Sequence, residues 1–142
     1  MTDYKTYSKN KPMIEQKINY IGIVRTSLKN VEDCPLQEIE NAPTALLEIF
    51  PEYKQGLGGI ERGSEVIILT WLHLANRTEL MTKPRNDPDA NETGVFCTRS
   101  PNRPNPIGIH TSTVVSLNEL ILEVSQLEVV EGTPILDIKP KL

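Results

Sequence analysis

Glu65-Val66-Ile67-Ile68-Leu69-Thr70-Trp71-Leu72-His73-Leu74 is the most apolar run of the chain, and its brevity and its valine and isoleucine content read as a central strand. Upstream, Ile18, Tyr20, Ile21, Ile23 and Val24 form a run rich in β-branched residues that ends at Arg25-Thr26, and Ala45 to Phe50 forms another, broken by Pro51. Glu52 to Gln55 reads as one helical turn, ended by Gly56-Leu57-Gly58-Gly59. Downstream, Ile109 to Ser116 and Leu120 to Val130 read as a hairpin turning at Leu117-Asn118-Glu119, and Ile135 to Ile138 as a last strand before Pro140. Leu120, Leu122 and Val124 alternate with Ile121, Glu123 and Ser125, as a strand with one wetter face does. Short strands at close spacing with almost no amphipathic helix predict a mainly-β fold: a small single-sheet β-barrel, antiparallel or mixed, with few short helices and no Rossmann layering.

Composition narrows the rest. A chain of 142 residues suits one domain that buries a core without disulfides or metals; residues 1–13 read as a disordered or extended leader and 14–142 as the domain. The formal net charge of −4 argues against coating nucleic acid or an anionic membrane by bulk charge and leaves room for a local basic patch. Cys34 and Cys97 show no Cys-x-x-Cys or Cys/His ligand spacing, so no metal site is expected. Each cysteine reads as a small buried or half-buried residue in a reducing cytoplasm. The N-terminal residues include no apolar signal region, and the longest apolar run, Val66 to Leu69, is too short to span a bilayer.

Two polar, proline-punctuated stretches, Asn30 to Pro43 and Asn76 to Thr93, are long enough for binding loops or a lid. After the second comes Gly94-Val95-Phe96-Cys97-Thr98-Arg99-Ser100-Pro101-Asn102-Arg103-Pro104-Asn105-Pro106-Ile107-Gly108, a short strand-like run joined to a stiff cationic loop. Its prolines fix their own φ and push the residues before them toward extended geometry, so little ordering entropy is left to lose on binding. A polyproline-II path with about three residues per turn puts Pro101, Pro104 and Ile107 on a face that docks on the body, Arg99, Asn102 and Asn105 on a second, and Ser100 with Arg103 on a third. The alternative is a rigid linker with solvated arginines. Neither Gly-x-Gly-x-x-Gly nor Gly-x-x-x-x-Gly-Lys occurs, so neither standard nucleotide cradle is expected.

Five blocks together resemble the TsaA-like, or TrmO, family: Ile21-Gly22-Ile23-Val24-Arg25-Thr26; Phe50-Pro51-Glu52-Tyr53 with Gly56-Leu57-Gly58-Gly59-Ile60-Glu61; Thr70-Trp71-Leu72-His73; the Gly94–Gly108 segment; and Glu131-Gly132-Thr133-Pro134-Ile135-Leu136-Asp137-Ile138-Lys139-Pro140. The resemblance runs from about Ile18 to Leu142. It implies a β-barrel homodimer that binds S-adenosylmethionine and N6-methylates threonylcarbamoyladenosine next to the tRNA anticodon. The cofactor contacts it implies are Pro35, Leu36, Gln37, His73, Leu74, Arg99, Ser100, Ile109, His110, Glu131, Gly132, Thr133 and Pro134. Asn102 and Asn105 join Arg99 in orienting cofactor or substrate.

The residue types suit that assignment: arginine, asparagine and main-chain amides hold a carboxylate by charge-assisted bonds, and Gly108 and Gly132 permit close backbone approach. Asp137 and Glu131 are the candidates for accepting the amine proton, with an ion pair to Lys139 or Lys141 as the alternative for Asp137. Lys83, Arg85, Arg99 and the outward Arg103 are read as a basic rim for tRNA. His73 admits a second reading as a satisfied core or rim histidine, Trp71 as core, and Glu131–Pro134 as a plain tight turn. The chain departs from the family at Pro35-Leu36-Gln37, where Pro-Arg-Gln is frequent, and at Glu131, where aspartate is frequent. It also stops before the C-terminal domain of several bacterial relatives. Methylation of a small molecule or protein, and cofactor binding without transfer, are the alternative functions.

Overall fold

The computed structural model describes residues 16–36, 42–84 and 87–142. Its strands are β1 (Gly22–Arg25), β2 (Ala45–Ile49), β3 (Glu65–Trp71), β4 (Met81–Thr82), β5 (Thr93–Gly94), β6 (Ile107–Asn118), β7 (Ile121–Val124) and β8 (Pro134–Pro140). Six of them close a barrel in the order β1-β2-β7-β6-β3-β8. Every pairing is antiparallel, and β8 returns to β1 through Gly22↔Ile135 and Ile23↔Pro134. This is the mainly-β, non-Rossmann architecture expected from the strand spacing.

Alternation decides what faces inward. Along β3 the buried positions are Val66, Ile68 and Thr70, and opposite them on β6 lie Ser112, His110 and Gly108. One core layer is visible in the register itself: Val24 opposes Leu47, Leu47 opposes Leu122, and Leu122 opposes Leu117 across four strands. β6 serves two neighbours. It pairs with β3 as far as Thr113 and with β7 from Val114, with an irregularity between Val114 and Ser116; a bulge adds the local twist a strand needs to turn a barrel corner.

Several boundaries differ from the sequence expectation. The hairpin turns at Glu119-Leu120 rather than at Leu117-Asn118-Glu119, since Leu117 and Asn118 still pair with Leu122 and Ile121. Glu119 there takes the positive φ of 56° that a two-residue hairpin demands. β7 stops at Val124, not Val130; the chain then leaves the ladder but stays packed through Leu127, Val129 and Val130. β1 begins at Gly22 rather than Ile18. Gly94 pairs with Met81 to join β4 and β5 in a two-stranded ribbon at the end of the expected loop, and Val95–Cys97 is a 3-10 turn instead of a strand-like run. Pro51–Leu57 forms the expected turn, longer than one helical turn, and Gly59 at φ 93° makes the reversal. Cys97 is exposed, not buried, and Cys34 is half-buried. The 1–13 leader lies outside the described residues, as do Gln37 and Arg85. No helix among the described residues is long and apolar enough to cross a membrane.

Candidate functional site

The Thr98–Gly108 loop is held by one of its own arginines, Arg103. Arg103 donates from Nε to the Ser100 carbonyl at 2.8 Å and from Nη2 to the Val95 and Thr98 carbonyls at 2.8 and 2.6 Å. It therefore turns into the loop, where the sequence reading had it facing outward. A planar fork satisfies three carbonyls at once in a way a lysine point charge does not. Arg103→Lys is expected to lower stability by about 1–2 kcal/mol, measured as a shift in urea midpoint; an unchanged midpoint would show the clamp to be idle. The docking face also differs: Pro101 and Ile107 are exposed and Pro106 is the fully buried proline. Its carbonyl accepts Leu72 N–H at 2.8 Å, which continues the β3–β6 ladder and overrides a three-residue repeat.

Arg77, which the sequence reading left unnamed, fixes the other side of the loop. It donates to the Pro104 carbonyl at 2.8 Å and to Asn105 Oδ1 at 3.2 Å, and its guanidinium lies 5.0 Å from the centre of the Trp71 ring. Trp71 is thus half-buried beneath a cation rather than a core residue. Asn102 Oδ1 accepts Asn76 N–H at 2.9 Å. The oxygens of Asn102 and Asn105 thus each accept one bond within the protein, and their Nδ2 amides are further donors in the loop that carries exposed Arg99. His73 and Leu74 follow Trp71 at the same loop and are exposed, as are Ile109 and Leu36. Lys83 donates to the Pro88 carbonyl at 2.8 Å.

The Glu131–Pro134 segment is a tight turn locked by its first residue. Gly132 has φ 85°, a conformation that favours glycine, and Thr133 is buried with Oγ1 bonded to the Val130 carbonyl at 2.7 Å. Glu131 accepts from Arg25 at 3.2 Å, from Lys29 at 3.1 Å and from Thr26 N–H at 3.1 Å. Burial pushes its carboxyl up, but the bonds from Lys29, Thr26 and Arg25 together outweigh that and hold it below the ordinary glutamate range. Because the folded value lies below the unfolded one, this stabilisation is complete above about pH 4.3 and disappears as pH falls through the folded value. Glu131→Gln should therefore unfold at lower urea than wild type at pH 7, with the gap narrowing as pH is lowered below about 4.3; a gap that stays constant through the acid range would contradict the ionic origin.

Asp137 stands elsewhere. Its Oδ2 is 2.8 Å from Lys139 Nζ and its Oδ1 accepts Ile138 N–H at 2.9 Å. It lines a cavity of about 340 Å³ beneath the Pro51–Leu57 turn, with Ile21, Tyr53 and Ile138. The arrangement matches the ion-pair alternative raised for it.

His110 is inside the barrel, not on a rim. Its Nε2 lies 2.7 Å from Thr70 Oγ1, and its Nδ1 bonds Glu128 Oε1. A carboxylate only accepts when ionised, so His110 Nδ1 donates to Glu128, while Nε2 and the Thr70 hydroxyl bond each other. Gly108 makes room for this chain, since a Cβ there would lie 2.5 Å from Thr70 Oγ1 and 2.6 Å from His110 Nε2. Sequence reading missed Thr70 and Glu128; the one available signal was a glutamate between Leu127 and Val129, both of which are buried. Among the described residues no group of three or more His, Cys, Asp or Glu is arranged to hold a metal.

The model of the tRNA-methyltransferase O N-terminal domain matches residues 23–142. A probable S-adenosyl-L-methionine-binding protein of Archaeoglobus fulgidus is 40% identical over 128 residues, which is 90% of this chain and 34% of that protein. Another so named, of Methanothermobacter thermautotrophicus, is 39% identical over 127 residues, 89% of this chain and 90% of that one. Two crystal structures of TrmO from Pseudomonas aeruginosa superpose with a TM-score of 0.72, at 28% and 25% identity, covering 92% of this chain and 56% and 58% of theirs. The chain thus spans about a third of the Archaeoglobus relative and somewhat over half of the solved TrmO chains. The match extends from the first barrel strand to Leu142 and takes in the arginine loop and the Gly132 turn, and this chain belongs to the tRNA-methyltransferase O N-terminal domain family.

Proposed function

We propose that this chain binds S-adenosyl-L-methionine and transfers its methyl group to the N6 amine of threonylcarbamoyladenosine beside the tRNA anticodon, working as a homodimer. One observation carries the reading: the Arg99–Asn105 loop turns its asparagine oxygens toward Asn76 and Arg77, which leaves the Arg99 guanidinium and the two Nδ2 amides as donors for a ligand. Such a donor-rich surface suits the carboxylate of a methionyl group. Exposed Leu36, Leu74 and Ile109 suit an adenine ring, so the residues present fit the cofactor. When bound, it supplies an electrophilic methyl group on a sulfonium.

The chain's own task is then mainly positioning, which can lower a barrier by roughly 7–11 kcal/mol, against about 3–5 kcal/mol for a general base. Arg99, Asn102 and Asn105 orient the cofactor's amino-acid end, and the loop's Arg103 and Arg77 contacts keep those donors in place. Glu131 anchors the Gly132 turn that contacts the cofactor. As a carboxylate already tied to Arg25 and Lys29, it serves better as an anchor than as a proton acceptor. Exposed Leu80, Met81 and Phe96 offer apolar surface for a second copy of the chain. Arg99 with Lys83 and Arg85 supplies the basic rim toward tRNA.

A second reading, cofactor binding without transfer, is favoured by one fact: Glu131 and Asp137 are both committed to ion pairs. Incubation with methyl-labelled S-adenosylmethionine and, in turn, threonylcarbamoylated tRNA, total protein and a metabolite extract separates the possibilities. Label in the tRNA is expected. Label in protein or metabolites would move the acceptor, and cofactor binding without any labelled product would favour the second reading.

A further inference from the structure

We propose that Glu128 is a cofactor-binding residue, its buried Oε2 accepting a hydrogen bond from a hydroxyl or ammonium of the bound nucleoside. The inference rests on the S-adenosylmethionine reading given above and adds to it a residue that neither the motifs nor the comparisons identify.

The Glu128 side chain is 10% exposed. Its Oε1 takes the His110 Nδ1 proton, while Oε2 is buried and has no hydrogen-bond partner among the described residues. A carboxylate offers about four acceptor positions, and leaving half of them unmet away from water is strongly unfavourable. Buried polar groups left in this condition are few in native proteins and call for a specific partner. Relief by swinging outward is closed off from both sides. Leu127 and Val129 are buried on either flank, and the preceding segment is tied to β6 through Ser112 Oγ, which bonds Ser125 Oγ at 3.2 Å and Gln126 N–H at 3.1 Å. Sideways, His110 is held by Thr70 and by the tight space at Gly108. The oxygen is therefore presented by a rigid frame, as a binding group should be.

Its position agrees with the rest of the site. Glu128 lies three residues before the Glu131–Pro134 turn and bonds His110 directly. Its charge is also felt at Cys34, where burial first and then Asp33, Glu128 and Glu32 push the thiol above its ordinary value. Cys34 leads into Pro35 and Leu36. Glu128 thus bonds one residue expected to touch cofactor and shortly precedes a turn expected to do so. The acceptor on Oε2 complements the donor-rich Arg99–Asn105 loop: the loop suits the ligand's anionic end, and Glu128 suits its donors.

Glu128→Gln tests this, because it keeps Oε1 for His110 and places an NH2 donor where the open acceptor stood. Binding is read by calorimetry with S-adenosylmethionine, S-adenosylhomocysteine and 5′-methylthioadenosine. The expected result is wild-type binding that weakens by roughly 10- to 150-fold in the variant, with the Trp71 fluorescence of the folded protein retained. Weakening for all three ligands assigns the donor to the shared adenosine portion; weakening only for the two that carry an amino acid assigns it to the ammonium. Affinity within twofold of wild type for every ligand overturns the inference while leaving the cofactor reading intact. Wild-type protein that binds none of the three overturns both. Should Glu128→Gln fail to fold, Glu128→Asp, which keeps the charge but withdraws it by one methylene, is expected to bind more weakly while folding, and undiminished binding by that variant overturns the inference.

Discussion

Gly22→Ala is expected to lower the unfolding free energy by about 3 kcal/mol, measured by urea denaturation followed through the single tryptophan, Trp71. A Cβ at Gly22 would sit 2.4 Å from the Glu48 carbonyl oxygen and 3.1 Å from Ile49 Cα. Both are backbone atoms of β2, so no side-chain rotation relieves the clash; β1 and β2 must part. β1 has only four residues and is the strand through which the barrel closes onto β8, so the strain falls where the sheet has least pairing to spare. Gly94→Ala is the matched control. Gly94 has φ −62° and nothing within 4 Å of its would-be Cβ, so its stability should stay within about 0.5 kcal/mol of wild type. Equal midpoints for the two variants would sink the steric account.

Leu47→Ala should cost about 2–5 kcal/mol. Leu47 is fully buried and lies in register between Val24 on β1 and Leu122 on β7. Both neighbours are carried on hydrogen-bonded strands, which limits how far they can collapse into the space left behind, and residual cavity volume sets the cost. The adjacent substitution makes the point about register. Leu46 is exposed and faces away from the core, and Leu46→Ala should change stability by less than about 1 kcal/mol. Since successive strand residues point to opposite faces, two leucines one step apart carry different weights, and similar losses at both would mean that the register is wrong.

The barrel was legible because its strands announce themselves locally. The valine- and isoleucine-rich run at Glu65–Trp71, the alternation along Ile121–Val124, and punctuation by Pro51 and Pro140 are properties of neighbouring residues. Where local signals were weak, boundaries slipped. The hairpin turn at Glu119-Leu120 has no glycine or asparagine at the position that takes positive φ, so nothing in the sequence marks it. β4 and β5 are two residues each, too short for any period to register. Leu127, Val129 and Val130 read as a continued strand because they are buried like one, although they lie outside the ladder.

The candidate site divides in the same way. The Gly94–Gly108 and Glu131–Pro140 segments stand out by composition, and Gly108 could be named in advance as a place of close approach; Gly132, expected to be another, has nothing within 4 Å of where a Cβ would sit and is glycine for its φ of 85° instead. Residue by residue, the roles depend on partners far along the chain. Arg103 turned inward to three carbonyls, Arg77 came from the expected Asn76–Thr93 loop, where it had not been named, to brace Asn105, and Glu131 was claimed by Arg25 and Lys29 over 100 residues away. By itself the sequence determined a small β-barrel and the family to which it belongs, because strand periodicity and motif composition are written in adjacent residues. Only the tertiary structure decided that Arg103 is a clamp while Arg99 stays exposed, and that Glu128 lies buried against His110, because a side chain's chemistry is set by what the closed barrel brings against it.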